Sequence, residues 1–194
     1  MSILIPKDAI APEGPLQLLQ GMLEMELQLV HHTSHVYQYH SIKIYDGRMF
    51  RMSNFGYETR LCNMALVSAA ASLEGFYDNI LRIIKSNGNS YTKIQLFKDI
   101  KQTNQYKDII EPLARRNCIV HNSAKVDSRY LAKVNSSSLN INDSLSIGVS
   151  YLEKASTSFF NMAEAITNIF IEKELLQKKF GETISEFQYK IGLL

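Results

Sequence analysis

The sequence has few cysteines, little net charge and no long uninterrupted apolar run, and each shortage excludes a class of protein. Two cysteines, Cys62 and Cys118, are too few for a disulfide framework, and they lack the spacing of a four-ligand zinc site. So few cysteines are typical of a protein in a reducing compartment. A formal net charge of only +2 argues against binding nucleic acid through bulk charge. The apolar run "FFNMAEAITNIFI" is interrupted by Glu164, and no segment has the pattern of a signal peptide. We therefore expect a cytoplasmic protein with no membrane segment, metal or other cofactor.

Proline is also scarce beyond the first fifteen residues. Pro6, Pro12 and Pro15 all lie there, and Pro112 is the only other proline. This distribution predicts an N-terminal arm over residues 1–15, with a helix beginning at its end. A chain of 194 residues with 45% hydrophobic content is long enough for one core, so we expect a single domain over residues 16–194.

The apolar residues that are present recur mostly at helical spacing. "LQLLQGMLEMELQLVHH" and "YETRLCNMALVSAAASLEGFYDNILRIIK" both have apolar positions at steps of three and four, which predicts two amphipathic helices. A further long helix is predicted from Asp143, as its N-cap, to Gly181. "VYQYHSIKIYDGRMFRM" is instead rich in β-branched and aromatic residues around Asp46-Gly47, which predicts a small β-hairpin near residues 36–52. We expect an all-α bundle of about four to five helices, with this hairpin as a possible insertion.

A shorter helix, predicted to begin near Pro112, contains the unusual segment "LARRNCIVHN". On a wheel of about 100° per residue, Asn117 and His121 fall on the apolar face centred on Leu113, Arg116 borders that face and Arg115 points away from it. Polar groups buried without partners cost about 1 to 3 kcal/mol each, so something must satisfy them. Two answers stay open at this point. Either Glu74 or Asp78 of the preceding helix pairs with the arginine, or a ligand and a second subunit cover the face.

Positive charge is concentrated around this segment. Between Leu113 and Lys133 there is a single acidic residue, Asp127, whereas the basic residues number five: Arg115, Arg116, Lys125, Arg129 and Lys133. A local excess of four positive charges in a chain whose total is +2 suits a phosphodiester ligand.

The segment and its surroundings resemble a known family. "RNCIVHNSAKVD" is similar to the signature of the HEPN superfamily in the form RNxxxHNxxxVD, with the small residues Ser123 and Ala124 but no glycine after the histidine. "SLEGFYDNIL" in the preceding helix resembles the glutamate and aromatic stretch often found there. The resemblance covers roughly residues 57–130, and residues 1–55 resemble no family.

The resemblance implies a metal-independent endoribonuclease of the toxin or anti-phage defence type, in which two protomers line one cleft. We expect a homodimer with its interface on the helix from Pro112 to Asn122, an RNA substrate, and a protein antitoxin or defence-system partner. Attack by the 2′-OH would leave a 2′,3′-cyclic phosphate. His121 would transfer protons, since a histidine has a pKa of about 6.5. Arg116 would stabilise the phosphorane charge and Asn117 would position the reacting groups.

The other polar residues of this region are candidates for binding RNA rather than for catalysis. They are Arg115, Asn122, Lys125, Arg129 and Lys133. The alternative function is a non-catalytic HEPN-like helical module that binds a protein partner or a nucleotide and keeps Arg116 and His121 as a structural pair.

Two other groups of residues are weaker candidates for a functional site. His31 and His35 are four residues apart and could bind zinc or nickel, but without a nearby acidic or cysteine ligand a polar helix end is the favoured interpretation. Cys118 and His121 could form a nucleophile and its base, but Cys118 falls at the edge of the apolar face, which favours packing.

Overall fold

The computed structural model describes residues 14–40, 54–135 and 138–177, and within these ranges it is helical, with no strand. The six helices described are α1 (Pro15–His40), α2 (Asn54–Ser86), α3 (Lys93–Gln102), α4 (Tyr106–Asn122), α5 (Ser128–Val134) and α6 (Val149–Glu172). The predicted all-α bundle is therefore confirmed. None of the helices in the described ranges combines the length and the apolar character that crossing a membrane requires.

The predicted β-hairpin is wrong over its first residues. Residues 36–40 form the last part of α1 instead of a strand, and the rest of the predicted hairpin, including residues 41–52, lies outside the described residues. Most of the predicted N-terminal arm also lies outside them. Pro15 is the first residue of α1, where the fixed φ of proline suits a helix start.

Three long helices, α1, α2 and α6, pack against one another and form the core. The residues that the sequence spacing placed on the inner faces of α1 and α2 are buried: Leu16, Leu19, Leu23, Leu27, Val30, Leu66, Ala69, Leu73, Phe76, Ile80 and Ile84. From α6 the large side chains Phe159, Phe160 and Phe170 pack into the same core. These inner faces provide the main driving force for folding, because burial of a large apolar side chain contributes roughly 1.5 to 3 kcal/mol.

The helix predicted from Asp143 to Gly181 begins later than expected. It starts at Val149, after the N-cap Gly148, and ends at Glu172. Asp143 belongs to a turn instead: its carboxylate accepts a hydrogen bond from the backbone N–H of Asn140 at 2.7 Å, and its carbonyl accepts one from Val126 at 2.9 Å.

The segment between that turn and α6 is extended because of its alternating burial. Leu145 and Ile147 are buried, whereas the residues on either side of each are exposed. An alternation with period two cannot be satisfied by a helix, so the chain stays extended until Gly148.

The helix that contains "LARRNCIVHN" begins earlier than predicted. α4 starts at Tyr106, so Pro112 lies inside it rather than at its start. Proline has no N–H, so the carbonyl of Asp108, four residues earlier, lacks its usual helical donor. Pro112 is buried nonetheless, which indicates that packing compensates for this loss.

α3 is fixed to the end of α6 by a small polar cluster. Asp99 accepts a hydrogen bond from Lys173 Nζ at 2.5 Å and another from the hydroxyl of Tyr91. The ring of Tyr91 also packs edge-on against Phe170, with 5.1 Å between the centroids.

Candidate functional site

The segment "LARRNCIVHN" forms the C-terminal half of α4, which is covered on two sides. On one side α4 packs against α2 and α6, and on the other it packs against α5. Ala114 and Cys118 are buried on the α5 side, in a small cluster with Val126, Tyr130 and Leu145. Cys118 therefore has the packing role that was favoured over that of a nucleophile.

Because α4 has two covered sides, the single apolar face derived from the helical wheel is wrong. Val120 lies within about 20° of Leu113 on the same wheel, yet it has an exposed fraction of 49%. His121 is exposed, and Asn117 is half-buried. One reason for expecting a dimer interface on this helix was that its own chain would bury His121, and this reason does not apply because His121 is exposed.

Arg116 has partners within its own chain. Its Nη2 lies 3.4 Å from Glu74 Oε2 on α2, and its Nη1 donates to Asn117 Oδ1 at 3.0 Å. The arginine side chain is 22% exposed and that of Glu74 is 58% exposed. Of the three guanidinium nitrogens of Arg116, only Nε is buried and has no hydrogen-bond partner among the described residues. Of the two carboxylates considered, Glu74 makes the contact, whereas Asp78 pairs with Lys93 at 3.1 Å.

His121 has no such partner. It lies one residue before the end of α4, is exposed, and makes no hydrogen bond or ion pair with any residue in the described ranges. Five residues along an α-helix correspond to a rotation of about 140° and a rise of about 7.5 Å. Arg116 and His121 therefore leave one helix in different directions.

Arg115 was expected to point into solvent, and the structure contradicts this. Its side chain is 14% exposed, its Nε donates to Glu111 Oε1 at 2.7 Å and its Nη1 donates to the carbonyl of Ser146 at 3.1 Å. Its guanidinium also lies over the ring of Tyr151, 4.4 Å from the centroid. Through its contacts with Ser146 and Tyr151, Arg115 holds α4 against the segment that leads into α6 and against α6 itself.

Glu111 is the centre of this cluster. Besides the bond from Arg115, its Oε1 accepts a hydrogen bond from the hydroxyl of Tyr130 at 2.6 Å, and its Oε2 accepts one from the hydroxyl of Tyr151. Burial, followed by the hydrogen bond with Glu111, raises the pKa of Tyr130 to about 12 and raises that of Tyr151 further. Both hydroxyls therefore stay protonated and able to donate.

The roles of Glu111, Tyr130 and Tyr151 in this cluster were not predicted from the sequence. The spacing of Glu111 and Arg115, four residues apart on one helix, is a signal that could have indicated their ion pair. The two tyrosines come from α5 and α6, and the sequence contains no comparable signal for them.

The end of the motif, "HNSAKVD", shapes the turn that joins α4 to α5. Ser123 and Ala124 both adopt left-handed backbone conformations, with φ of 53° and 60°, and both backbone N–H groups donate to the carbonyl of Cys118. The side-chain amide of Asn122 donates to the carbonyl of Lys125 at 2.9 Å. Asp127 caps α5 by accepting a hydrogen bond from the N–H of Tyr130 at 2.7 Å.

Asn122, predicted to contact RNA, therefore has a structural role in this turn.

Of the five basic residues between Leu113 and Lys133, three have side chains that remain available to a ligand. Lys125, Arg129 and Lys133 are exposed, and none of them forms an ion pair with a residue in the described ranges. Arg129 and Lys133 lie one turn apart on α5, so their side chains leave the same side of that helix.

Of the histidine pair considered as a metal site, only His31 has a side chain within the described part of the chain. His31 Nε2 lies 3.1 Å from Glu153 Oε1 on α6, and the side chain of His35 lies outside the description. Among the described residues, no group of three histidine, cysteine or acidic side chains could hold a metal ion.

Comparisons of the chain with protein-family models, with curated proteins and with solved structures found no match. The HEPN resemblance therefore rests on the quoted motifs alone and stays a prediction.

Proposed function

We propose that the protein is a metal-independent endoribonuclease in which His121 transfers protons at the reacting phosphodiester. The observation that carries this proposal is the exposure of His121, an imidazole with no partner in the described chain, at the end of α4 and just before the exposed Lys125 in the following turn. An imidazole can accept a proton from the 2′-OH or give one to the leaving 5′-oxygen. The products would be a 2′,3′-cyclic phosphate and a 5′-hydroxyl.

Arg116 would neutralise the charge that develops on the phosphorane. Its contact with Glu74 does not prevent this role, because the distance is 3.4 Å and Glu74 is 58% exposed. An exposed ion pair of this kind contributes about 1 kcal/mol or less, so an RNA phosphate can displace it. Asn117, which accepts a hydrogen bond from Arg116, would keep the guanidinium oriented during this exchange.

The geometry of α4 supports a composite site. Arg116 and His121 leave α4 about 140° apart around the helix, so in the described conformation they are not directed to one point. A homodimer in which one protomer supplies the arginine and its partner supplies the histidine would satisfy the chemistry. A cytoplasmic toxin or defence effector with an antitoxin or defence-system partner is the biological role that the HEPN resemblance favours.

The proposal is tested by single-turnover cleavage of a short RNA. Alanine at His121 or Arg116 should lower the rate for bound RNA by roughly 10² or more, and alanine at Asn117 should have a smaller effect. His32→Ala is the matched control, since His32 is also an exposed histidine but lies on α1. A wild-type rate for His121→Ala would contradict the proposal.

Binding and chemistry should separate in the same assay. Substitution of Lys125, Arg129 or Lys133 by alanine should mainly weaken RNA affinity and flatten its salt dependence, because phosphate contacts release counterions. Arg115→Ala should instead destabilise the fold, because its guanidinium is engaged by Glu111 and Tyr151.

A second candidate function is a non-catalytic helical module that binds a protein partner or a nucleotide. The contacts of Arg116 with Glu74 and Asn117 favour it, because they explain the arginine without a substrate. Expression in a bacterial host distinguishes the two. A ribonuclease toxin should arrest growth and His121→Ala should relieve the arrest, whereas a binding module should be tolerated equally in both forms.

A further inference from the structure

The outward side of α1 carries an apolar stripe with no charge. Leu18, Met22, Met25 and Leu29 follow one another at steps of four, three and four, and all four are exposed. Beside this stripe, Glu26 is half-buried and accepts a hydrogen bond from the hydroxyl of Ser68 on α2. An exposed stripe at this spacing is the pattern by which one helix packs against another.

A groove runs beside the first half of this stripe. Leu18 and Met22 of α1 form one wall, Ala71 and Gly75 of α2 form the other, and the space between them is about 330 Å³. A Cβ atom added at Gly75 would have no other atom within 4 Å. The groove is therefore open enough to accept side chains from outside.

The second half of the same face carries protruding side chains. Met25 and Leu29 are 70% and 60% exposed, and Met64 of α2 is 71% exposed. α1 and α2 are antiparallel, and the hydroxyl of Ser68 donates to Glu26, so Met64 lies at the same end of the face as Leu29. We call the whole surface, groove and protrusions together, the α1–α2 face.

We propose that two copies of this chain pair through the α1–α2 face about a two-fold axis, so that Met25, Leu29 and Met64 of each copy enter the groove at Gly75 of the other. A two-fold axis exchanges the two ends of a face that it passes through. Here one end is a groove and the other end protrudes, so the rotation places each against its complement. Methionine is suited to the contact, since its flexible side chain fills irregular spaces.

The size of the face fits a second copy. From Pro15 to His32, α1 is about 27 Å long, and two adjacent helices are about 20 Å across, which gives a footprint on the order of 500 Å². Protruding side chains add accessible area to this flat footprint. The total is of the same order as the roughly 800 Å² that each partner of a standard interface buries. Glu26, the carboxylate that borders the face, is half-buried and bound by the hydroxyl of Ser68, so the exposed residues of the face are uncharged.

The pairing does not depend on ribonuclease activity, because a chain with no nuclease function would still bury this face. It does border the proposed site, since Glu74, the partner of Arg116, directly precedes Gly75 on α2.

The test is the mass of the purified full chain, measured by size-exclusion chromatography with light scattering at micromolar concentrations. The wild type should have at least twice the monomer mass of 22.1 kDa. Met25→Glu should raise the dimer dissociation constant roughly 100-fold or more, because each copy would bury an unpaired carboxylate. Ile94→Glu is the control, since Ile94 is 82% exposed on α3 and outside the face.

Gly75→Leu separates a specific interface from apolar stickiness. The substitution adds apolar surface and fits the isolated chain, since nothing lies within 4 Å of the new Cβ, yet it fills the groove. It should weaken the dimer without lowering the melting temperature of the monomer. A monomeric wild type, or a folded variant at Met25 or Gly75 that dimerises as tightly as the wild type, would overturn the proposal.

Discussion

The two arginine–glutamate pairs of α4 should differ several-fold in their contribution to stability. Glu111→Ala removes the acceptor for Arg115 Nε and for the hydroxyls of Tyr130 and Tyr151. Glu74→Ala removes only the 3.4 Å contact of Arg116. We expect the first substitution to lower the free energy of unfolding by about 3 kcal/mol and the second by about 0.5 kcal/mol.

The larger value follows from burial. Arg115 is 14% exposed and Glu111 is 28% exposed, so loss of the carboxylate leaves a largely buried guanidinium uncompensated. Breaking a buried pair in this way costs about 3 to 5 kcal/mol, and the partial access of water to Glu111 places the expected value at the low end. Glu74 is 58% exposed, where water replaces most of what the pair provides.

The measurement is urea denaturation followed by far-ultraviolet circular dichroism at neutral pH. Tyr151→Phe and Tyr130→Phe should each cost about 1 kcal/mol, since each removes one hydroxyl donor to Glu111. The double alanine variant of Glu111 and Arg115 should lose less free energy of unfolding than the sum of the losses of the two single variants. The reason is that removal of both side chains leaves no unpaired charge.

Equal losses for Glu111→Ala and Glu74→Ala would refute this reasoning. So would additivity of the Glu111 and Arg115 substitutions, since it would indicate that the two groups are not coupled.

Three further outcomes are expected. Cleavage of RNA should survive excess EDTA, because proton transfer and charge neutralisation both come from side chains; complete loss that zinc or magnesium restores would contradict this. Burial alone would raise the pKa of Asp99, but hydrogen bonds from Lys173 and Tyr91 outweigh it and hold the pKa below the usual range of an aspartate. Asp99→Asn should therefore lower the melting temperature at neutral pH, and the difference from wild type should shrink as the pH falls through the pKa of the folded state. Ala124→Gly should stabilise the chain by about 0.5 to 1 kcal/mol in urea denaturation, since Ala124 has a φ of 60°, whereas the control Ala132→Gly, inside α5, should destabilise it by a similar amount.

The inner faces of α1 and α2 could be predicted from the sequence because each helix buries one side. Their apolar residues then recur at the helical period, and the prediction needs no knowledge of the neighbours. The start of α6 could not be predicted in the same way. Asp143 is a good helix N-cap in isolation, but its carboxylate is used in a turn, and the burial of Leu145 and Ile147 holds the next residues extended.

The buried residues of α4 could not be predicted from the sequence, because they depend on helices that pack on two sides of α4. With α2 and α6 on one side and α5 on the other, its buried residues form two sectors, represented by Ile109 and Cys118, and no single stripe exists to be read. The choice of Glu74 over Asp78 as the partner of Arg116 likewise depends on where α4 crosses α2, which no local pattern encodes.

The residues of the motif divide into those that the fold explains and one that it does not. Asn122 and Asp127 shape the turn and cap α5, and Arg116 and Asn117 contact each other. His121 has no contact of this kind in the described chain, so its substitution removes nothing that holds α4 in place. Arg116→Ala, in contrast, changes an ion pair and a hydrogen bond as well as any chemistry. A loss of cleavage in His121→Ala with an unchanged melting temperature would therefore be attributable to the imidazole itself, which makes His121 the cleanest single probe of the proposed reaction.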